Sequence, residues 1–384
     1  MSFPLSQGLY DKVTESHTSC LYTRIQLLRG GESIEDIADT PNETLEIGIP
    51  KKAYLAIFTE GHSFFQGKYP SAKNVRNMSQ HELECVYIAC IALLSTTNDH
   101  STIWRVHESV VLELAGRSGG SGSSWVKKDF TYMIALATSC LDKINKSSVL
   151  WHWLRKLAVV CVFRDFSNSK FYIFCKHVLR SMDAHFANYA AGFTLVWLVQ
   201  VARSLELHFD EMAVLSLLRE YSRKRLGDIS LWTAFGRILS DKKCVYAETL
   251  YRNMSSRFEC EVSFNQDPCL HDAQNDDELT GGKLQPGLSE YPEKENAQIG
   301  NMSQLKDMSW SAQFSLAHQE ALCELQWLLD VQCVVESPYK HVISGMPDLK
   351  ISQRMIHQKL ESLDVSKETE TSRKFRFLLQ GFLE

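Results

Sequence analysis

The chain of 384 residues lacks several features, and each absence removes a class of function. Its apolar runs stop far short of the ~18 residues of a membrane-spanning helix. The first residues, MSFPLSQGLYDKVTESHTS, carry no basic stretch followed by an apolar core. Excess positive charge is also missing. Lys and Arg number 41 against 46 Asp and Glu, for a net charge of -5, so no global field draws the chain to phosphate backbones or anionic lipid. Eleven cysteines are present, but none forms a CxxC pair. Cys85, Cys90 and Cys161 sit in apolar runs (ELECVYIACIALL and KLAVVCVF), where thiols act as small hydrophobes suited to a reducing compartment. There is no HExxH, no GxGxxG after a strand, no GxxxxGK[ST] and no GxSxG, and hence no signal for a zinc protease, a phosphate loop or a hydrolase elbow. His152, His177 and His185 stand outside any metal-ligand spacing. The expectation is a cytoplasmic protein with no transmembrane segment, no nucleic acid partner and no cofactor of its own.

What the sequence does have is helical patterning. In MSQHELECVYIACIALL, Ser79 is followed three residues on by Glu82, the spacing of a capping box, and then by an apolar face. Similar patterns predict helices at about Thr102–Leu114, Val126–Ile144, Ser148–Phe163, Lys170–Ala184, Ala190–Leu205, Asp210–Lys224, Ser230–Leu239 and Val245–Phe258. After these come a long helix at Ser309–Val335 and amphipathic pieces near Ile351–Leu363 and Ser366–Phe382. The one alternating candidate for extended chain is LEIGIP at Leu45–Pro50. Gly116–Ser124 is Gly/Ser-rich and predicts a flexible inserted loop. Asn265–Lys306 is polar and acidic without apolar periodicity, and predicts disorder.

Three of these helices carry a Trp one turn in: Trp104, Trp151 and Trp232, with Gly192 or Phe193 at the equivalent place of a fourth. The steps are 47, 41 and 40 residues, and the longest contains the Gly/Ser insertion. One Trp on an amphipathic helix is ordinarily core. Four registered copies indicate a repeat of helical hairpins, each too small to bury its own apolar face and stable only when stacked on its neighbours.

These copies resemble the repeats of protein prenyltransferase alpha subunits, which follow Asn-Pro-x-Asn-Tyr-x-x-Trp-x-x-Arg. STTNDHSTIWRVHESVVLEL is similar to one copy, with Asn98 and Asp99 near the Asn-Pro position and Ser101 in place of Tyr. LDKINKSSVLWHWLRKLAV resembles the next, with Arg155 near the usual Arg, and Asn188 and Tyr189 match the Asn-Tyr of the third. The resemblance covers roughly Ser79–Phe258. It implies an all-α, right-handed superhelical array of hairpins, divided as a helical segment 1–77 leading in, repeats 78–262, a disordered acidic loop 263–308 and closing helices 309–384. It also implies a heterodimer with a zinc-binding beta subunit, in which a thiolate of a protein substrate's C-terminal cysteine attacks an isoprenoid diphosphate. The family's diphosphate-facing Lys falls on Lys146, where an ammonium would stabilise departing charge. Ser148 and Ala190 replace the family's usual Tyr and His. That departure fits a divergent branch acting with a Rab-type beta subunit as a geranylgeranyltransferase, with a SNARE as substrate.

The alternative is a non-catalytic helical-repeat scaffold of tetratricopeptide type, binding peptides or trafficking proteins. Such repeats run at about 34 residues, whereas the period here is nearer 40. Arg219, Arg223, Lys224 and Arg225 form a basic run at a predicted helix end. It is read as a solvated C-terminus complementing the helix dipole, or as a surface for an acidic partner.

Overall fold

In the computed structural model the described residues are 3–383, without 16–21, 32, 40–43, 68, 70–73, 98, 118–122, 165, 241–244, 262–315, 347 and 364–368. The centre of the Gly/Ser insertion, Asn98 and the whole acidic stretch therefore lie outside them.

Chain order begins with helix α1 (Pro4–Glu15), strands β1 (Tyr22–Leu28), β2 (Glu35–Asp39) and β3 (Thr44–Pro50), and helix α2 (Lys51–Gly67). Residues 1–77, expected to be a helical segment, thus hold two helices and also a three-stranded sheet, of which the sequence had indicated only the β3 region. β3 is central, parallel to β1 with Ile25 beside Ile47, and antiparallel to β2 with Ile37 beside Glu46. One face of the sheet is apolar, with Ile25, Leu45, Ile47 and Ile49 buried. On β1 and β3, Arg24 and Gln26 both reach Glu46, a cross-strand polar set on the opposite face.

The rest is a two-layer stack of hairpins. The pairs are α3 (Gln80–Leu94) with α4 (Ser101–Arg117), α5 (Ser123–Ala137) with α7 (Ser148–Ala158), α8 (Asn168–Ala184) with α9 (Tyr189–Ser204), and α10 (Glu211–Lys224) with α11 (Ile229–Leu239). A one-turn α6 (Asp142–Asn145) links α5 to α7, and α7 runs on through a π-helical turn, Val159–Arg164. A fifth pair, α13 (Leu316–Asp330) with α14 (Glu336–Ser344), packs on α11, and α15 (Leu349–Ser362) and α16 (Glu370–Gly381) close the end. The first members α5, α8 and α10 pack in one layer, and the second members α7, α9, α11 and α14 in the other. Helix α12 (Val245–Glu261) belongs to neither; it lies against α4, α7 and α9.

The expected register is present in the backbone. Helices α4, α7, α9 and α11 begin at residues 101, 148, 189 and 229, so the steps are 47, 41 and 40, and Trp104, Trp151, Gly192 and Trp232 are each the fourth residue. Helix α14 extends the series, because its fourth residue is the fully buried Tyr339. Trp104, Trp151, Trp232 and Tyr339 are all buried, and aromatic rings remove large apolar areas from water. Gly192 has a physical reason: a Cβ there would stand 3.3 Å from the Ser230 carbonyl oxygen and 3.1 Å from Met182. At Gly236 the approach is closer still. A Cβ would meet the His341 carbonyl oxygen at 2.3 Å, so α11 and α14 cross backbone to backbone. Among the described residues no helix is long and apolar enough to cross a membrane.

Candidate functional site

A helix must satisfy the free N–H groups of its first turn, and at α7, α9 and α11 the preceding turns do this with side chains that also bind a neighbouring hairpin. Ser147 caps α7 by accepting from the Leu150 N–H at 3.1 Å, while its own hydroxyl donates to Asp99 in the turn before α4. Asn188 caps α9, accepting from Ala191 N–H at 3.2 Å. Its Nδ2 donates to Asn145 Oδ1 at 2.5 Å and Ser181 Oγ at 3.1 Å. Asp228 caps α11 through Ser230 N–H at 3.0 Å, and its second oxygen accepts from Ala187 N–H at 3.2 Å. Asn145 is the centre of this ladder. Fully buried, it donates to Ala137 O at 2.5 Å and Ser181 Oγ at 2.8 Å, and its carbonyl accepts the Trp151 indole N–H at 2.7 Å. At α7 the cap ladder and the fourth-position aromatic are thus one system.

The ladder fixes an edge on which other groups are displayed. Lys146, held between Asn145 and Ser147, places Nζ 2.9 Å from Asp142 Oδ1. His185 Nδ1 lies 3.2 Å from the same oxygen, and His185 Nε2 is 3.2 Å from Ser139 O. The hydrogen bond from Lys146, with its charge and that of His185, holds the Asp142 carboxyl below its ordinary value. Next to these stand three large apolar side chains in water: Phe186 at 52% exposure, Tyr189 at 56% and Ile229 at 45%. Tyr189 and Ile229 follow the caps Asn188 and Asp228, the Ala187 N–H between Phe186 and Asn188 donates to Asp228, and a Cβ on Gly227 would stand 3.7 Å from the Phe186 ring. Ala187 between them has φ +59°, a left-handed conformation that disfavours a side chain.

The other residues singled out from sequence are core. Trp104, Trp151 and Trp232 are buried. Arg155 is buried on α7, donates to Thr194 Oγ1 of α9 at 2.8 Å and lies 4.9 Å from the Phe193 ring centre. Desolvation pushes its guanidinium down to about 10, which leaves it charged at neutral pH. It links two hairpins and does not face the edge. The basic run is an inter-hairpin device: Arg223 donates twice to the buried Glu324 carboxylate (3.1 and 2.8 Å), Arg219 reaches Glu320 and Glu324, and Arg225 pairs with Asp183 at 3.0 Å. Three of its four cations thus bind this chain's own acids on other helices, two of them on α13. Lys224 pairs with Glu220 within α10.

One buried group escaped the sequence reading. Asp129, with no exposure, accepts from Tyr87 Oη at 3.0 Å, lies 2.9 Å from His107 Nε2, and accepts from Trp153 Nε1 at 2.7 Å. Burial first, and then the nearby carboxylate, pushes the Tyr87 phenol well above its ordinary value. The signal was available: Asp129 sits between the buried Val126 and Met133 on the apolar stripe of α5. Among the described residues, no cluster of three or more His, Cys, Asp or Glu is placed to hold a metal ion.

Compared with known proteins, residues 1–138 match the family model described as the ECM9 N-terminal domain, and residues 150–258 match that described as the ECM9 middle domain. Protein ECM9 of Saccharomyces cerevisiae is 22% identical over 271 residues, which cover 69% of this chain and 68% of the yeast protein. No solved structure matches the chain. These names state no activity, substrate or partner.

Proposed function

We propose that this chain is the alpha-type subunit of a protein geranylgeranyltransferase, paired with a separate Rab-type beta subunit that carries the catalytic zinc. The observation that carries the reading is the register itself. Four helices spaced by about 40 residues each place an aromatic or Gly at the fourth position, three of them, α7, α9 and α11, behind a side-chain cap tied to a neighbouring hairpin, the arrangement to which the family's repeat motif corresponds. The right-handed superhelical curvature and the heterodimer belong to the same proposal. In it, Phe186, Tyr189 and Ile229 pack on the beta subunit. Exposed aromatics ringed by polar caps suit an interface core. Lys146 stands at the N-terminal end of α7, where helix dipole and ammonium both favour an anion. Its role is to stabilise the diphosphate as the substrate thiolate displaces it from the isoprenoid. Zinc in the beta subunit lowers the pKa of that thiol.

The test is co-expression with a Rab-type beta subunit and size-exclusion chromatography. A stable heterodimer that Tyr189→Asp with Phe186→Asp abolishes, in a variant that remains folded by circular dichroism, supports the reading. Absence of any heterodimer with the unaltered chain removes it. The second reading, a non-catalytic scaffold, is favoured by one observation: Lys146 already has a partner in Asp142. In that case a complex would form and yet transfer no isoprenoid.

A further inference from the structure

Away from the edge, where β1 meets the ends of α5, α8 and α10, the fold forms a partly open cavity of about 150 Å3. That is several times the volume of a water molecule, ~30 Å3. Its principal walls are Tyr22 and Arg24 of β1, Thr138 at the end of α5, His177 and Arg180 of α8, and Tyr221 of α10. We propose that this cavity binds a tetrahedral oxyanion of the phosphate class, as the free ion or as the end of a phosphomonoester.

The argument is charge balance. Two guanidinium groups reach the cavity. Arg24 is paired with Glu46, and its Nε, buried, has no hydrogen-bond partner among the described residues. Arg180 lies 4.1 Å above the Tyr22 ring and donates to the neutral Thr44 hydroxyl at 2.9 Å; no carboxylate among the described residues is within ion-pairing distance of it. A half-buried cation held by a ring face and a hydroxyl keeps its full charge for a ligand. Asp183 also lines the cavity and would repel an anion, but Arg225 engages it at 3.0 Å. The net charge of the lining and its immediate partners is therefore positive, and the Arg24 Nε–H among them is an unused donor. A planar fork beside an orphaned donor suits an acceptor with oxygens on several sides. The Thr138 hydroxyl has Ile134 O at 2.9 Å and Thr23 O at 3.1 Å as acceptors for its one proton, so it adds a neutral polar group to the lining.

The site is independent of prenyl transfer and is tested on the full chain alone. Inorganic phosphate and O-phosphoserine are titrated separately by calorimetry. Saturable one-site binding is expected, weakened about tenfold or more by Arg180→Gln, the loss of one charge-assisted hydrogen bond. Arg24→Lys, which keeps the charge facing Glu46 and removes the Nε donor, is expected to weaken it as well, and this second variant serves if the first fails to fold. Lys143→Gln, exposed on α6, leaves binding unchanged. Tighter binding of O-phosphoserine assigns the site to a monoester, and equal binding assigns it to the free ion. No saturable binding of either probe below about 10 mM, or equal binding by both Arg variants and the unaltered chain, overturns the proposal.

Discussion

Replacement of Asn145 by Ala removes the centre of the cap ladder, and its magnitude follows from the geometry. Three side-chain hydrogen bonds are lost from a residue with no exposure: to Ala137 O (2.5 Å), to Ser181 Oγ (2.8 Å) and from Asn188 Nδ2 (2.5 Å). The partners are not stranded, because Ser181 still donates to Ala137 O at 2.7 Å and Asn188 still reaches Ser181 at 3.1 Å. The loss is then about 1 kcal/mol per bond, about 3 kcal/mol in all. In a urea titration followed by tryptophan fluorescence this is a midpoint shift of about 1 M at a slope of ~3 kcal/mol/M. Asn145→Asp sharpens the test. It keeps the acceptor for Asn188 but turns a carboxylate oxygen toward the Ala137 carbonyl in a dry site. Desolvation raises the folded-state pKa of that Asp above its unfolded value, so its relative stability is present at low pH and lost as pH rises through the folded value. At pH 7.5 the Asp variant is expected to be less stable than the Ala variant, and to gain on it as pH falls toward 5. A loss below about 1 kcal/mol for Asn145→Ala, or an Asp variant as stable as the unaltered chain, would refute the reasoning.

Other outcomes follow from the same contacts. Gly236→Ala drives a Cβ into the His341 carbonyl at 2.3 Å and is expected to lower stability by about 3 kcal/mol; an unchanged thermal midpoint would contradict the backbone crossing of α11 and α14. Ala187→Gly relieves the φ of +59° and is expected to raise stability by about 0.5–1 kcal/mol, read as a higher urea midpoint. Burial, with Lys340 and Arg237 nearby, holds the His341 imidazole below its ordinary value. A depressed folded value contributes stability above the ordinary pKa of ~6.5 that is lost as pH falls through the lowered one. His341→Gln is therefore expected to lose less midpoint than the unaltered chain between pH 7 and pH 5; equal losses would show that this histidine is not a source of the acid sensitivity.

The repeat was legible because its signal is local. Trp104, Trp151 and Trp232 recur in sequence as they do in the helices, and the Ser79–Glu82 capping box forms as its spacing implies. What sequence hid was non-local. The strand at Tyr22–Leu28 alternates Arg24 and Gln26 with Ile25 and Leu27 over only four residues, too short a run to stand out, and its polar pair makes sense only beside Glu46 on β3. The fifth register escaped because Tyr339 replaces Trp and follows Pro338, far along the chain from α11. Arg223 gives no hint that its carboxylate stands 101 residues away at Glu324. At the edge, Lys146, Asn188 and Tyr189 were found by motif, whereas Phe186 and Ile229 were recognisable only once their exposure was seen. The Asn145–Asn188 and Asp228–Ala187 ties needed the stack itself.

The most direct measurement of the central claim is transfer of radiolabelled geranylgeranyl from its diphosphate to a protein with a C-terminal cysteine, catalysed by the co-purified complex of this chain with a Rab-type beta subunit. The account predicts transfer that requires both chains and falls at least tenfold in Lys146→Ala while the complex stays intact. A stable complex with no transfer to any cysteine-ended substrate, or transfer by the beta subunit at the same rate without this chain, would contradict it.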